Sequence, residues 1–475
     1  MEALYFFKEI SKIPRASGKE QAISDYLVEF AKARGLKVVQ DEALNVVIYK
    51  PGTAGYENHP PIALQSHIDM VCEKNVDTDH DFDKDPLKLQ EKGEFLYATG
   101  TTLGADNGIG VSISMAVLDA KELPHPPLEV IFTSEEETTM KGVSNLDTNL
   151  ITARRMINMD SGSDKRFTVG CAGGCRFSVT IPIKRHKEHS NEPVAKLLTV
   201  RGLLGGHSGL EIALGKANSI RLLALGLHAL KEQINVGIIT VSGGLKTNAI
   251  PREAEALITV PKSELAKAEQ IISSVTSTLQ KEYRASDPDI QLKLEDAAFS
   301  GQEILTDECV KQLMSSMMLL PYGVLHMSHD IQGLVETSNN IGVMTTTDSS
   351  IRLDCALRSS VFSRRKLIES QVQYLADAIG VKVEFGDGYP GWAYNPDSPL
   401  LAIAKVEFEK LYKMKPEIEA VHAGLECGFM MEKFPDMDII SYCADIRGPH
   451  TPEECVSLPS FEKVWDFTKN LLKRL

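Results

Sequence analysis

Five short polar points carry residue types that bind divalent cations. They are His67 with Asp69 in LQSHIDM, Asp106 in TLGADNGIG, the acidic triple 135–137 in FTSEEETTMKG, Asp160 in INMDSG and His450 in RGPHTPEE. Each alone is ordinary. A histidine after a strand is commonly a structural hydrogen-bonding residue, an Asp closing a strand commonly caps the next helix, and Asp-Asn-Gly commonly makes a turn. Together they supply two imidazoles and three carboxylates, a donor set suited to a pair of borderline divalent cations, zinc first and manganese or cobalt after it. Two cations held about 3.5–4 Å apart share one carboxylate and take about two further ligands each, which leaves room for water and substrate. With Glu137 drawn from the acidic triple the count closes: His67 and Asp160 on one ion, Glu137 and His450 on the other, Asp106 between them. Asp69, two residues beyond His67 on an extended strand, lies on the same face and can accept the other imidazole N–H. The glutamate next to the liganding one is placed to take a proton from the attacking water and pass it to the leaving group. Residue chemistry leaves open whether this pair is Glu136 with Glu137 or Glu135 with Glu136.

Such side chains need rigid element ends to deliver them. Runs at 36–39, 45–49, 61–66, 128–133 and 156–159 read as strands, and Gly104, Gly108 and Gly110 turn the chain into an apolar helix through Ile109, Val111, Ile113, Met115, Ala116 and Leu118. Ser17 with Glu20 reads as a capping box before a helix that stops near Gly35. Strands alternating with helices predict an α/β domain with a mixed, largely parallel sheet flanked by helices, and ligands in such sheets gather beyond the carboxyl ends of the strands.

After Gly173 and Gly174 the pattern changes. Helices at 209–232 and 263–284 with strands at 236–242 and 254–260 make an α+β unit. A fainter echo follows, with helices at 306–320 and 363–379 and strands at 337–344, 350–358 and 381–385. The expected organisation is therefore 1–174 and 396–475 as the two parts of one domain, with 175–395 inserted as two similar α+β units. The Gly-, Pro- and Asp-rich GDGYPGWAYNPDSP reads as a linker.

A net charge of −14 over 475 residues argues against nucleic acid and against anionic membrane surfaces as partners, while 43% apolar residues suffice for more than one core. The charged start MEALYFFKEISKIPR does not resemble a secretory signal and no stretch reaches membrane-span length, so the expected setting is the cytosol. Eight scattered cysteines without a C-x-x-C pair are expected to be reduced and mostly buried. His326, His329 and Asp330 imitate a metal cluster but are expected at the surface.

At the five polar points the sequence resembles the metallopeptidase family that includes carboxypeptidase G, aminoacylase and the cytosolic dipeptidases. Its motif set runs H-x-D, a bridging Asp, an E-E pair, a further acidic ligand and a late His. Within that family the resemblance is nearest to the bacterial aminoacyl-histidine (Xaa-His) dipeptidases, through GADNGIG, GCAGG, GGHSGLEI, NAIPREA, YPGW, HAGLECG and PHTP, over essentially the full length. The resemblance implies a dizinc dipeptidase acting on a small dipeptide, with the inserted domain as a lid. It also settles the register: the family's pair lies five residues before a glycine, counted from the second Glu, and Gly142 selects Glu137 as ligand and Glu136 as base. His207 in GGHSG is implied as a stabiliser of the tetrahedral oxyanion, Asn248 and Arg358 as substrate-binding residues with Arg358 pairing the terminal carboxylate, and Gly424 as a point of close backbone approach. An aminoacylase on the same scaffold is the nearest alternative; a binding protein with a dead site and a redox protein using Cys171 and Cys175 are others. A homodimer stays open, because a doubled lid could replace a partner subunit or coexist with one.

Overall fold

Ile62–His67 and Leu128–Thr133 are buried along their whole lengths, as strands must be when both sheet faces are covered. In the computed structural model, which describes residues 2–188, 192–298, 301 and 303–475, they lie at the centre of an eight-stranded sheet. Its order is Lys37–Gln40, Val46–Lys50, Leu128–Thr133, Ile62–His67, Arg155–Asn158, Asp438–Ser441, Arg166–Cys171 and Glu417–Val421. The sheet is mixed, and the four central strands from Leu128–Thr133 to Asp438–Ser441 pair in parallel. Their carboxyl ends carry Thr133, His67, Asn158 and Ser441 in neighbouring positions, so one edge of the sheet collects the polar points.

The chain divides into two units, one made of Met1–Cys171, Trp392–Ala420 and Leu425–Leu475, the other of Ala172–Gly391 with Val421–Gly424. In the first, the helix Ala105–Asp119 is buried on nearly every side and opens with non-helical backbone at Asp106 and Asn107. Gly104 before it has φ 64°, and a Cβ there would collide with the Arg15 guanidinium and the Met70 sulfur. At Gly110 a Cβ would strike the Asn107 side chain and come within 2.8 Å of the Met159 carbonyl. The Ser17–Glu20 capping box does not form. Glu20 instead accepts the Gly18 and Glu135 N–H groups, Ser17 Oγ meets Thr138 Oγ1 at 2.9 Å, and the helix Gln21–Lys32 starts without a side-chain cap.

The second unit is built on a nine-stranded sheet whose main path runs Gln291–Asp296, Pro193–Arg201, Ala254–Pro261, Gly237–Gly243, Val335–Thr346, Ser350–Ser359, Gly173–Pro182 and Lys382–Tyr389. One apolar core draws residues from this sheet and from the helices Ser219–Lys231, Leu265–Glu282, Asp307–Leu319 and Phe362–Ile379. The two halves meet at a single backbone pair, Gly243 with Met344, where the Thr346 hydroxyl also bonds the Val241 N–H and carbonyl. Two expectations are corrected here. The helix expected at 209–232 starts only at Ser219, because Gly215 sits at φ 67° and the Asn218 side chain caps Ile220 and Arg221. GDGYPGW is no free linker: its first residues complete the strand Lys382–Tyr389, and buried Trp392 exchanges backbone hydrogen bonds with Cys171. No described helix is long and apolar enough to cross a membrane.

Candidate metal centre

His67 ends its strand almost fully buried, and its two ring nitrogens face different partners. Nδ1 lies 3.2 Å from Asp69 Oδ1, while Nε2 lies 3.2 Å from Asp106 Oδ1 and 3.8 Å from Asp160 Oδ1. Asp69 does more than orient the ring, since its two oxygens accept the backbone N–H groups of Glu136 and Glu137 at 3.1 Å each. On the other side His450 Nε2 stands 3.1 Å from Glu137 Oε1 and 3.5 Å from Asp106 Oδ2. Asp106 thus presents one oxygen to each imidazole. Glu136 Oε2 is 4.0 Å from His67 Nε2, whereas Glu135 turns away to Thr139 and Lys141. The structure therefore brings His67, Asp69, Asp106, Glu136, Glu137, Asp160 and His450 together, and leaves Glu135 outside.

These groups fit a cation. Donor atoms of His67, Asp106 and Glu137 lie within 4.8 Å of one another, and Glu137 Oε1 is buried with His450 Nε2 3.1 Å away. The electrostatics carry the same message. Burial raises the Asp160 carboxyl well above the usual range, reinforced by Asp106, and burial with Asp160, Glu426 and Glu137 does the same to Glu136 against the pull of His67. Burial would lower His67, yet Asp160, Asp106 and Asp69 outweigh it and raise it; hydrogen bonds to Asp106 and Glu137 raise His450 to about 10. So many carboxylates in one buried place cannot all ionise without positive charge, and in the protein alone the imidazoles supply it.

A measurable consequence follows from that balance. With its pKa raised above the ordinary 6.5, His450 stabilises the metal-free fold fully below that value and ceases to do so as pH rises through about 10. A liganding imidazole must be unprotonated, so zinc uptake near pH 7.5 is expected to release about one proton per bound histidine into a weakly buffered indicator solution. The His450 share of this release should fade above about pH 10. Cation uptake without proton release would remove His67 and His450 from the ligand set.

Residues 63–474 match peptidase family M20/M25/M40. The chain belongs to this family. It is 37% identical to the cytosol non-specific dipeptidase of Escherichia coli strain K12 over 469 residues, 99% of this chain and 96% of the relative. The crystal structure of aminoacylhistidine dipeptidase from Vibrio alginolyticus superposes with a TM-score of 0.95 at 36% identity, covering 100% of this chain and 96% of that one. Aminopeptidase PepT from Bacillus cereus, at TM-score 0.57 and 15% identity over 99% of this chain and 97% of its own, shares the fold.

In this M20/M25/M40 chain the remaining expected residues gather in the second unit. His207 pairs with Ala249 in a two-residue ladder, the Ser208 N–H donates to the Asn248 carbonyl, and Asn340 clamps the Asn248 turn through the Thr247 and Ala249 carbonyls. His207 Nδ1 accepts from the Gly209 and Leu210 N–H groups, so the neutral ring carries its proton on Nε2. Arg358 Nη1 donates to the Tyr389 hydroxyl at 2.8 Å, and Gly424 lies against the Tyr389 ring, where a Cβ would come within 2.9 Å. Ser338, directly across the strands from Arg358, holds His422 Nε2 at 2.7 Å; burial and Arg358 lower this imidazole to about 4.

Several of these residues were not expected from the sequence. Glu454 accepts the N–H groups of Leu103, Gly104 and Asp106, and buried Arg15 donates to the carbonyls of Ile68, Asp69 and Gly104. Between them they hold the turn that presents Asp106. The available signals were slight: a second acidic residue four positions after His450, and a lone arginine after a proline. The other clusters carry no such geometry. His326 lies half-buried on Gly323–Met327 with Arg364 Nη1 at 3.5 Å, His329 and Asp330 are exposed, and all eight cysteines are free. Burial pushes the Cys171 thiol up to about 11, which suppresses its thiolate.

Proposed function

We propose that this peptidase hydrolyses dipeptides, Xaa-His dipeptides foremost, at a two-cation centre with Glu136 as the general base. The observation that carries the reading is Asp106, whose two oxygens face His67 on one side and His450 on the other. The names of the Escherichia coli and Vibrio alginolyticus relatives support both a dipeptide substrate and, for the former, a cytosolic setting. His67 and Asp160 would hold one ion, Glu137 and His450 the other, with Asp106 shared; the donor set favours zinc, with manganese or cobalt as substitutes. When bound, such ions polarise the scissile carbonyl and lower the pKa of the attacking water.

The chain's own groups do the rest. Glu136, pinned through its N–H to Asp69, takes a proton from the water and returns it to the leaving amine. Asp69 accepts from His67 Nδ1 and so presents Nε2 to the centre. The inserted unit acts as a lid: His207 offers its Nε2–H to the developing oxyanion, Arg358 pairs the terminal carboxylate, and Asn248 and the backbone at Gly424 hold the peptide. The requirement for a free carboxylate and a free amine limits the substrate to dipeptide length.

The test uses protein stripped of metal and reloaded with zinc, manganese or cobalt, assayed on a dipeptide panel and on N-acetyl amino acids. Cation-restored hydrolysis of dipeptides is expected, with Xaa-His substrates cleaved fastest. Activity confined to N-acetyl amino acids would replace this reading with an aminoacylase.

A further inference from the structure

The four central parallel strands share a buried polar belt that the mechanism above does not use. Ser441 Oγ donates to Asn158 Oδ1 at 2.5 Å, Asn158 Nδ2 to Gln65 Oε1 at 2.6 Å, and Gln65 Nε2 to Glu426 Oε2 at 2.6 Å. Thr133 Oγ1 adds a second donor to the same Glu426 oxygen at 2.7 Å. All five residues are at most 1% exposed. Gln65, Asn158 and Ser441 stand in register across adjacent strands, so the belt runs straight across the sheet. Ser441, Asn158 and Gln65 donate one to the next toward Glu426, and hydrogen bonds aligned in this manner polarise one another and end most favourably on an anion.

Two residues onward along the extended chain, on the same face, Gln65 leads to His67 and Asn158 leads to Asp160. The belt is therefore the row immediately behind the ligand row, and Glu426 is its terminal acceptor. With Oε2 taken by two donors, a proton on Glu426 would sit on Oε1, which is buried and has no partner among the described residues. An ionised Glu426 leaves that oxygen as an uncompensated negative charge, and its field reaches both Glu136 and Asp160. Isolated buried charge is costly in the protein alone and is offset once positive charge arrives nearby.

We infer that Glu426 is a positioning residue which holds a fixed negative charge behind the cation pair and thereby sets its affinity without coordinating it. This rests on the two-cation reading of the site. Two variants separate charge from packing. Glu426→Gln keeps the size and an oxygen that accepts from Gln65 and Thr133 but removes the charge; Glu426→Asp keeps the charge but withdraws it from its two donors. Zinc affinity is read by calorimetry on metal-free protein and fold stability by thermal unfolding of the same samples.

For Glu426→Gln the expected result is at least tenfold weaker zinc binding together with a metal-free melting temperature equal to or above that of the parent, because an unpaired buried charge has gone. For Glu426→Asp it is a lower melting temperature with zinc affinity within about threefold of the parent, threefold being well under the 1.4 kcal/mol of a tenfold change. Unchanged zinc affinity in Glu426→Gln overturns the inference, as does an equal loss of affinity in both variants, which would mark a purely structural residue. If Glu426→Gln fails to fold, the aspartate variant decides alone: weakened zinc binding there refutes the charge role. Parent protein that binds no cation would instead refute the two-cation reading itself.

Discussion

Replacing Glu136 with glutamine lowers the turnover of dipeptides by about 10²–10⁴-fold, the usual contribution of a positioned general base, while the protein keeps its full cation content. The expectation rests on where Glu136 is held. Its backbone N–H is fixed by Asp69, its side chain reaches to 4.0 Å from His67 Nε2, and that side chain is only 12% exposed. Burial, together with Asp160, Glu426 and Glu137, raises its proton affinity, and a base brought toward the working pH can both accept and return a proton. Glutamine has the same shape and leaves both backbone contacts of Asp69 intact, so binding geometry survives and proton transfer does not. Turnover at saturating substrate and metal analysis of the same preparation check this together. Cation content falling in step with turnover would make Glu136 a ligand and move the base elsewhere; undiminished turnover would exclude it as the base.

The parts of the site that could be read in the sequence are those where chemistry restricts residue type. Imidazole and carboxylate at strand ends form a small vocabulary, and His67, Asp106, Glu137, Asp160 and His450 do converge, although nearly four hundred positions separate the first from the last. What stayed hidden are the groups that act through backbone. Arg15 grips the carbonyl of Gly104 and Glu454 grips its N–H, and neither contact leaves a local pattern because any polar residue at those positions would look the same. Glu426 was hidden for a related reason: Gln65, Asn158 and Ser441 read individually as polar interruptions of apolar strands, and only the register across the sheet makes them a belt. Fold errors were of the same kind. Apolar periodicity extends upstream of Ser219, but a glycine at φ 67° and the Asn218 cap decide where the helix begins. Likewise, a segment rich in Gly and Pro reads as a linker until cross-strand pairing of Tyr389 with Gly174 claims it for a sheet.

Asp106→Asn is expected to weaken both cations together and to lower turnover more than Asp69→Asn does. A residue that orients a ligand without touching the ion, as Asp69 does for His67, typically contributes 10–100-fold, so the loss at Asp106 should exceed about 100-fold. Asparagine offers one oxygen where aspartate offers two. Whichever way its amide turns, the side facing either His67 or His450 meets an N–H in place of an oxygen, and the negative charge that both ions would share is absent from both. The variant should still fold, because the turn around Asp106 is held through its backbone: Glu454 takes the Asp106 N–H, and Arg15 takes the Gly104 carbonyl. Zinc titration followed by calorimetry, with stoichiometry from metal analysis, distinguishes the outcomes. Two sites that both lose affinity support a shared carboxylate, since each ion reports the same missing charge. One site left tight while the other empties would mean that Asp106 serves a single ion, and the second ion would then need a different bridging group from the carboxylates already facing the centre, Asp160 or Glu137.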